Sequence, residues 1–158
     1  MIRCFPEPLD TRRVPYRDGR EVALLADFPM CLPIGVEIKA KAGFVSDGAS
    51  IPEFFRRVIG CPFAGAYVWA AIPHDVLYAA EALPREVCDA VFRIGLQDLA
   101  DHGELPQWKV SVMYGAVRFG GWGAWTRHTE SSKLLARKFL EISTSAHHLE
   151  KLLRECYR

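Results

Sequence analysis

His74 and Asp75 stand side by side inside the apolar run YVWAAIPHDVLY, residues 67–78. Histidine changes charge near neutral pH, which suits it to take a proton as a general base. Burying it beside a carboxylate is costly unless the two groups are paired. On a helix His74 and Tyr78 share a face, while Asp75 is turned away by ~100°. Asp89 follows fifteen residues after His74. The EALPRE connection predicts a helix that folds back antiparallel and brings Asp89 level with His74 or Asp75. A carboxylate on one ring nitrogen fixes the tautomer and raises the basicity of the ring. The catalytic candidates are therefore His74 as base, Asp89 as its orienting partner, and Tyr78 on the same face. Asp75 is left to hold a metal, orient a water or pair with Arg85.

A further carboxylate comes from FVSDGASIP. Asp47 and Gly48 suit a tight turn, and Asp47 or Ser50 suits the cap of a following helix. Asp47 could instead join Asp75 as an oxygen ligand for Ca²⁺ or Mg²⁺. Ser50 lacks the G-x-S-x-G setting of a nucleophile. The plain alternative for the whole set is structural. In that reading His74 is a satisfied core histidine, Asp75 caps a kinked helix, and Asp89 pairs with Arg85 or Arg93.

These residues need elements to hold them. Residues 1–19, rich in Pro, Arg and Asp, read as an extended or irregular arm. REVALLADFPM, IGVEIKA and KAGFVSDGAS read as short extended pieces, with Val36, Ile38 and Ala40 alternating against Glu37, Lys39 and Lys41. Helices are expected over 52–60, 64–80, from Pro84 to Gly103, and after Pro106. Pro73 either kinks the second helix or starts a new one. The fold class is thus α+β: a small antiparallel sheet over 20–46, a helical body over 52–120, and a long C-terminal helix from about Thr129. Residues 1–128 form one domain, and 129–158 are a helix for docking or oligomerisation.

Composition narrows the function. Twenty Lys and Arg against nineteen Asp and Glu leave a net charge of +1 in 158 residues. That balance offers no electrostatic footprint for nucleic acid or an anionic membrane. The N-terminus shows no signal-peptide h-region, and no apolar run reaches the ~18 residues of a membrane span. Five cysteines without a CxxC pair point to free thiols in a reduced compartment.

GFVSDGASIP, AAIPHDVLY, REVCDAVF and YGAVRFGGWGAW, taken in order, resemble an uncharacterised domain family of tailed phages and prophages. Its pattern is G-F-x-T-D-x-A-S-I-P, H-D-x-L-Y, R-x-x-A-D-x-x-F and A-V-R-x-x-G. Ser46 and Cys88 replace the usual Thr and Ala. The resemblance covers residues 36–125 and implies a phage or prophage protein, made in the host cytoplasm and associated with the virion. A more distant similarity is to secreted phospholipases A2, where an H-D-x-x-Y helix lies against a helix carrying an aspartate. There the histidine activates water, the adjacent aspartate binds Ca²⁺ and the second aspartate orients the histidine. Here His74, Asp75, Tyr78, Asp89 and Phe92 fall at matching places, without the family's disulfides or its glycine-rich calcium loop.

Leu135, Phe139, Ile142, Ala146, Leu149, Leu153 and Cys156 repeat at four- and three-residue spacing, a heptad seam. It serves either to pack on the chain's own domain or to meet a partner or second copy through residues 129–156. Two functions follow: a small phage hydrolase acting on an envelope ester, or a non-catalytic structural or assembly protein.

Overall fold

The structure is a computed structural model that describes residues 3–14, 21–46 and 65–156. Asp47, Ser50 and the helix expected over 52–60 lie outside the described residues. The architecture is α+β, with short strands first and helices after them.

Among the described residues six strands pair antiparallel in two three-stranded sheets. β1 (Thr11–Arg13), β2 (Val22–Leu24) and β5 (Val45–Ser46) form one, with β2 central. β3 (Phe28–Cys31), β4 (Glu37–Ala40) and β6 (Leu140–Ile142) form the other, with β4 central. The alternation read from IGVEIKA holds: Ile38 and Ala40 are buried. Lys39 turns outward to Glu37 at 3.2 Å and Glu141 at 3.7 Å. The described part of the N-terminal arm, residues 3–14, joins the fold. Cys4 and Phe5 enter the core, and Thr11–Arg13 pairs with β2.

The helices are α1 (Tyr67–Ala80), α2 (Arg85–Asp101), α3 (Gln107–Gly120), a single turn α4 (Trp122–Trp125), α5 (Glu130–Arg137) and α6 (Ala146–Cys156). α1 continues through Pro73 as one element, so no new helix starts there. Pro73 cannot donate to the carbonyl one turn earlier. Dense burial of the flanking residues, Ile72 and Val76 among them, holds the helix against that loss.

The single long helix expected from Thr129 is corrected by a helix–strand–helix. α5 starts at a Thr129 cap that exchanges hydrogen bonds with Ser132. It gives way to Phe139-Leu140-Glu141-Ile142, an alternating stretch that pairs β6 with β4 at Ile38↔Ile142 and Ala40↔Leu140. Hydrogen bonding along β4 and burial of the inward side chains outweigh helical continuity. Ser145 then caps α6 through the His148 N–H at 3.2 Å. The seam splits accordingly. Leu149 and Leu153 pack into the chain's own core, whereas Leu135 is exposed.

Candidate functional site

α1 and α2 form an antiparallel hairpin, shown by contacts that step in opposite directions. Ala70 lies against Gly95, the His74 ring is 4.9 Å from Phe92, and Tyr78 reaches Asp89. Gly95 sets the spacing. A Cβ there would stand 2.9 Å from that of Ala70 and 3.1 Å from the Phe5 ring, too close for a larger residue. The turn between the helices is held by Glu81, whose φ of 42° is left-handed and whose carboxylate meets Lys133 at 2.8 Å.

This hairpin buries Asp89 completely and His74 to 4% exposure. Asp89 Oδ1 receives the Tyr78 hydroxyl at 2.5 Å and lies 3.1 Å from His74 Nε2. Its Oδ2 accepts from Arg118 Nη1 at 2.7 Å, with Arg85 Nη1 at 3.9 Å. Burial pushes the Asp89 carboxyl up most strongly, but hydrogen bonds from His74, Tyr78 and Arg118 outweigh it and hold it below the usual range. Burial, then Asp89, pushes the Tyr78 phenol up, so it remains a donor.

The other ring nitrogen differs. Because Asp89 is a carboxylate, it accepts the proton of Nε2 and leaves the lone pair of a neutral ring on Nδ1. Nδ1 is buried and makes no hydrogen bond among the described residues. Asp75 Oδ1 stands 3.8 Å from it, an electrostatic contact too long for a hydrogen bond. Burial pulls the His74 pKa down, yet the carboxylates of Asp75 and Asp89 prevail and raise it above 6.5. Asp75 Oδ2 in turn accepts a short hydrogen bond from the Ser46 hydroxyl at the end of β5.

The predicted residues therefore fall out as follows. His74, Tyr78 and Asp89 share one cluster, and Asp75 adjoins it. Asp47 lies outside the described residues. Arg85 does not pair with Asp75. It donates to the Val117 and Arg118 carbonyls at 3.1–3.3 Å, capping the negative end of α3, and its guanidinium lies 5.5 Å over Trp122. Arg93 is not a partner of Asp89 but stacks 5.1 Å over Tyr114. Spacing gave no role to Arg118 or Ser46. Arg118 is 29 positions from Asp89, beyond any helical register, and its only trace was the AVRFGG stretch. Among the described residues no three His, Cys, Asp or Glu side chains gather as metal ligands, and no helix is long and apolar enough to cross a membrane. The described Cys4, Cys31 and Cys88 are free. Burial, then Asp98, pushes the Cys4 thiol up to about 12, so it is no nucleophile at neutral pH.

A concavity lies on the opposite face of α2. It is a groove of about 960 Å³ whose lining includes Cys31, Val36, Ala90, Arg93, Asp98 and Leu153, with no histidine among its described lining residues.

Fold and cluster together define an α+β protein built on a histidine–aspartate pair inside a helical hairpin. The chain belongs to the family described as "Protein of unknown function (DUF1353)", whose profile matches residues 22–117. That span includes His74, Asp75, Tyr78 and Asp89 and stops one residue before Arg118. The chain is 37% identical over 107 residues to the "Uncharacterized protein y4jT" of Sinorhizobium fredii (strain NBRC 101917 / NGR234). The aligned region is 68% of this chain but only 30% of that relative's length. No solved structure matches the chain.

Proposed function

We propose that this is a phage or prophage hydrolase acting on an ester of the cell envelope, with His74 as its base. One observation carries the reading: His74 is fixed through Nε2 by Asp89 while Nδ1 is left without a hydrogen bond. A water that reached Nδ1 would also lie within hydrogen-bond length of Asp75 Oδ1, which stands 3.8 Å from that nitrogen. Nδ1 takes a proton from that water as its oxygen attacks the ester carbonyl. The imidazolium then returns the proton to the departing alkoxide. Asp89, held by Tyr78 and Arg118, steadies the imidazolium charge throughout.

Ca²⁺ or Mg²⁺ enters this reading only through Asp75, the one proposed ligand among the described residues. A single carboxylate already bonded to Ser46 is not a cation cage, so no step above runs through a metal. Turnover in EDTA against added Ca²⁺ tests that part separately.

The burial of His74 favours a second reading, a non-catalytic virion or assembly protein with a polar lock in its core. Its docking surface would be the exposed Leu134 and Leu135 of α5, tested by Leu134→Glu with Leu135→Glu in an assembly assay. Removing 129–158 would instead strip β6 from the sheet. His74→Gln separates the readings. The hydrolase loses release of fatty acid from phosphatidylglycerol or of nitrophenol from short esters while the variant is still folded at the assay temperature. The structural protein shows no turnover to lose and melts several degrees lower.

A further inference from the structure

Phe119 and Trp122 are the least explained side chains of the molecule. They lie three residues apart on the turn from α3 to α4, with Gly120 and Gly121 between them. Phe119 is 89% exposed and Trp122 63%. Folding gains little from either, since a ring in water contributes no burial. The turn also has no room to fold inward. A Cβ on Gly121 would stand 2.9 Å from the Tyr78 hydroxyl, so the backbone already rests on the Asp89 cluster and the rings on either side face out.

Charge around this turn is uneven in a way the whole-chain figure conceals. Residues 107–138 carry Lys109, Arg118, Arg127, Lys133, Arg137 and Lys138 against the single acid Glu130, in a chain of net charge +1. Two acids from outside the segment answer part of this excess: Glu81 holds Lys133 at 2.8 Å, and Asp89 holds Arg118 at 2.7 Å. Arg137 spends its guanidinium on the Ala80 carbonyl, which leaves its charge uncancelled. Arg127 and Lys138 form no ion pair among the described residues. Arg127 also lies beside the aromatic turn, its guanidinium within 3.9 Å of where a Gly123 Cβ would sit.

We infer that the Phe119–Trp122 turn, with Arg127 and with Lys138 at the end of α5, docks on an anionic phospholipid surface. Exposed aromatic rings beside arginine and lysine suit the headgroup boundary, where the rings enter the upper acyl region and the cations meet lipid phosphates. A protruding turn suits a planar bilayer, whereas a protein hot spot is set in a packed pocket. The inference deepens the envelope-directed reading and rests on it for the choice of lipid, but binding is measurable without turnover. Docking would also bear on the site. Arg118 directly precedes Phe119 and holds Asp89, and Trp122 lies under Arg85, so the bilayer would press on the two arginines of the cluster.

The test is sedimentation of the full chain with phosphatidylglycerol vesicles and, separately, phosphatidylcholine vesicles. The expected result is binding to phosphatidylglycerol only, weakened by salt within a few Debye lengths of charge screening. Phe119→Ser, which cannot disturb the core, and Arg127→Glu with Lys138→Glu should each weaken it by about tenfold. His74→Gln should bind as wild type does, so a failed hydrolase assay leaves the binding result intact. No sedimentation, equal binding to both lipids, or unchanged binding by Phe119→Ser overturns the inference. Concentration-dependent dimers abolished by Phe119→Ser, without vesicle binding, would also overturn it and assign the turn to protein contact.

Discussion

The two faces of α2 solve opposite problems. One face carries Asp89 and Phe92 into a space with no exposure at Asp89, shared by a histidine, a tyrosine and two arginines. The other carries Ala90, Arg93 and Asp98 onto the open groove of about 960 Å³. The groove is the roomier place, yet three of its carboxylates already have partners. Glu86 meets Arg154 at 3.4 Å, Asp98 accepts the Cys4 N–H at 3.1 Å, and Asp101 accepts from Gln97 at 2.7 Å. Its described lining holds no histidine, whereas the tight face holds one whose Nδ1 makes no hydrogen bond among the described residues. Chemical poise in this molecule goes with confinement rather than with volume.

The contrast can be broken by substitution. His74→Gln should lower ester turnover by about a thousandfold, the scale of losing a general base, while groove substitutions leave it unchanged. Asp89→Ala should cost about 3 kcal/mol in urea unfolding, because it strands Arg118 and His74 without their buried counter-charge. Equal losses from Asp89→Ala and from a groove carboxylate such as Asp101→Ala would erase the distinction. Tyr78→Phe, which removes one of three donors to Asp89, should cost about 1 kcal/mol. Arg93→Ala in the groove should stay within about 0.5 kcal/mol of wild type.

Acidity sharpens the same comparison. The Asp89 pKa is depressed in the fold, so its stabilisation is present above about 4 and is lost as pH falls through the native value. The His74 pKa is raised, so its stabilisation is complete below about 6.5 and is lost as pH rises through the native value. The cluster is therefore most stabilising between these limits. Turnover needs the neutral ring and should climb as that stabilisation fades. A rate that falls with rising pH above neutrality would contradict His74 as base.

What could be read from residues alone followed the range of each signal. Helical spacing placed His74 and Tyr78 on one face, and a short connection returned Asp89 to them, because those relations are local. Alternation in IGVEIKA marked its buried face for the same reason. Arg118 and Ser46 were not legible, since each meets its partner 29 positions away. β6 was missed for a related reason. FLEI fits a helical heptad as well as a strand, and only β4 decides between them. Net charge is a coarser signal, because it averages the basic stretch 107–138 against acids elsewhere in the chain.

The pairing of β6 with β4 has a consequence for how the molecule is made. Glu37 donates its N–H to Ser143 and Ile38 faces Ile142, so the sheet closes on residues about a hundred positions later. Contacts of such long sequence separation slow folding. During translation β4 emerges with β3 on one side and bare amides and carbonyls on the other, a template for the wrong partner. That edge stays open until the ribosome has released residue 142, which makes the nascent chain, rather than the finished protein, the form most prone to aggregate.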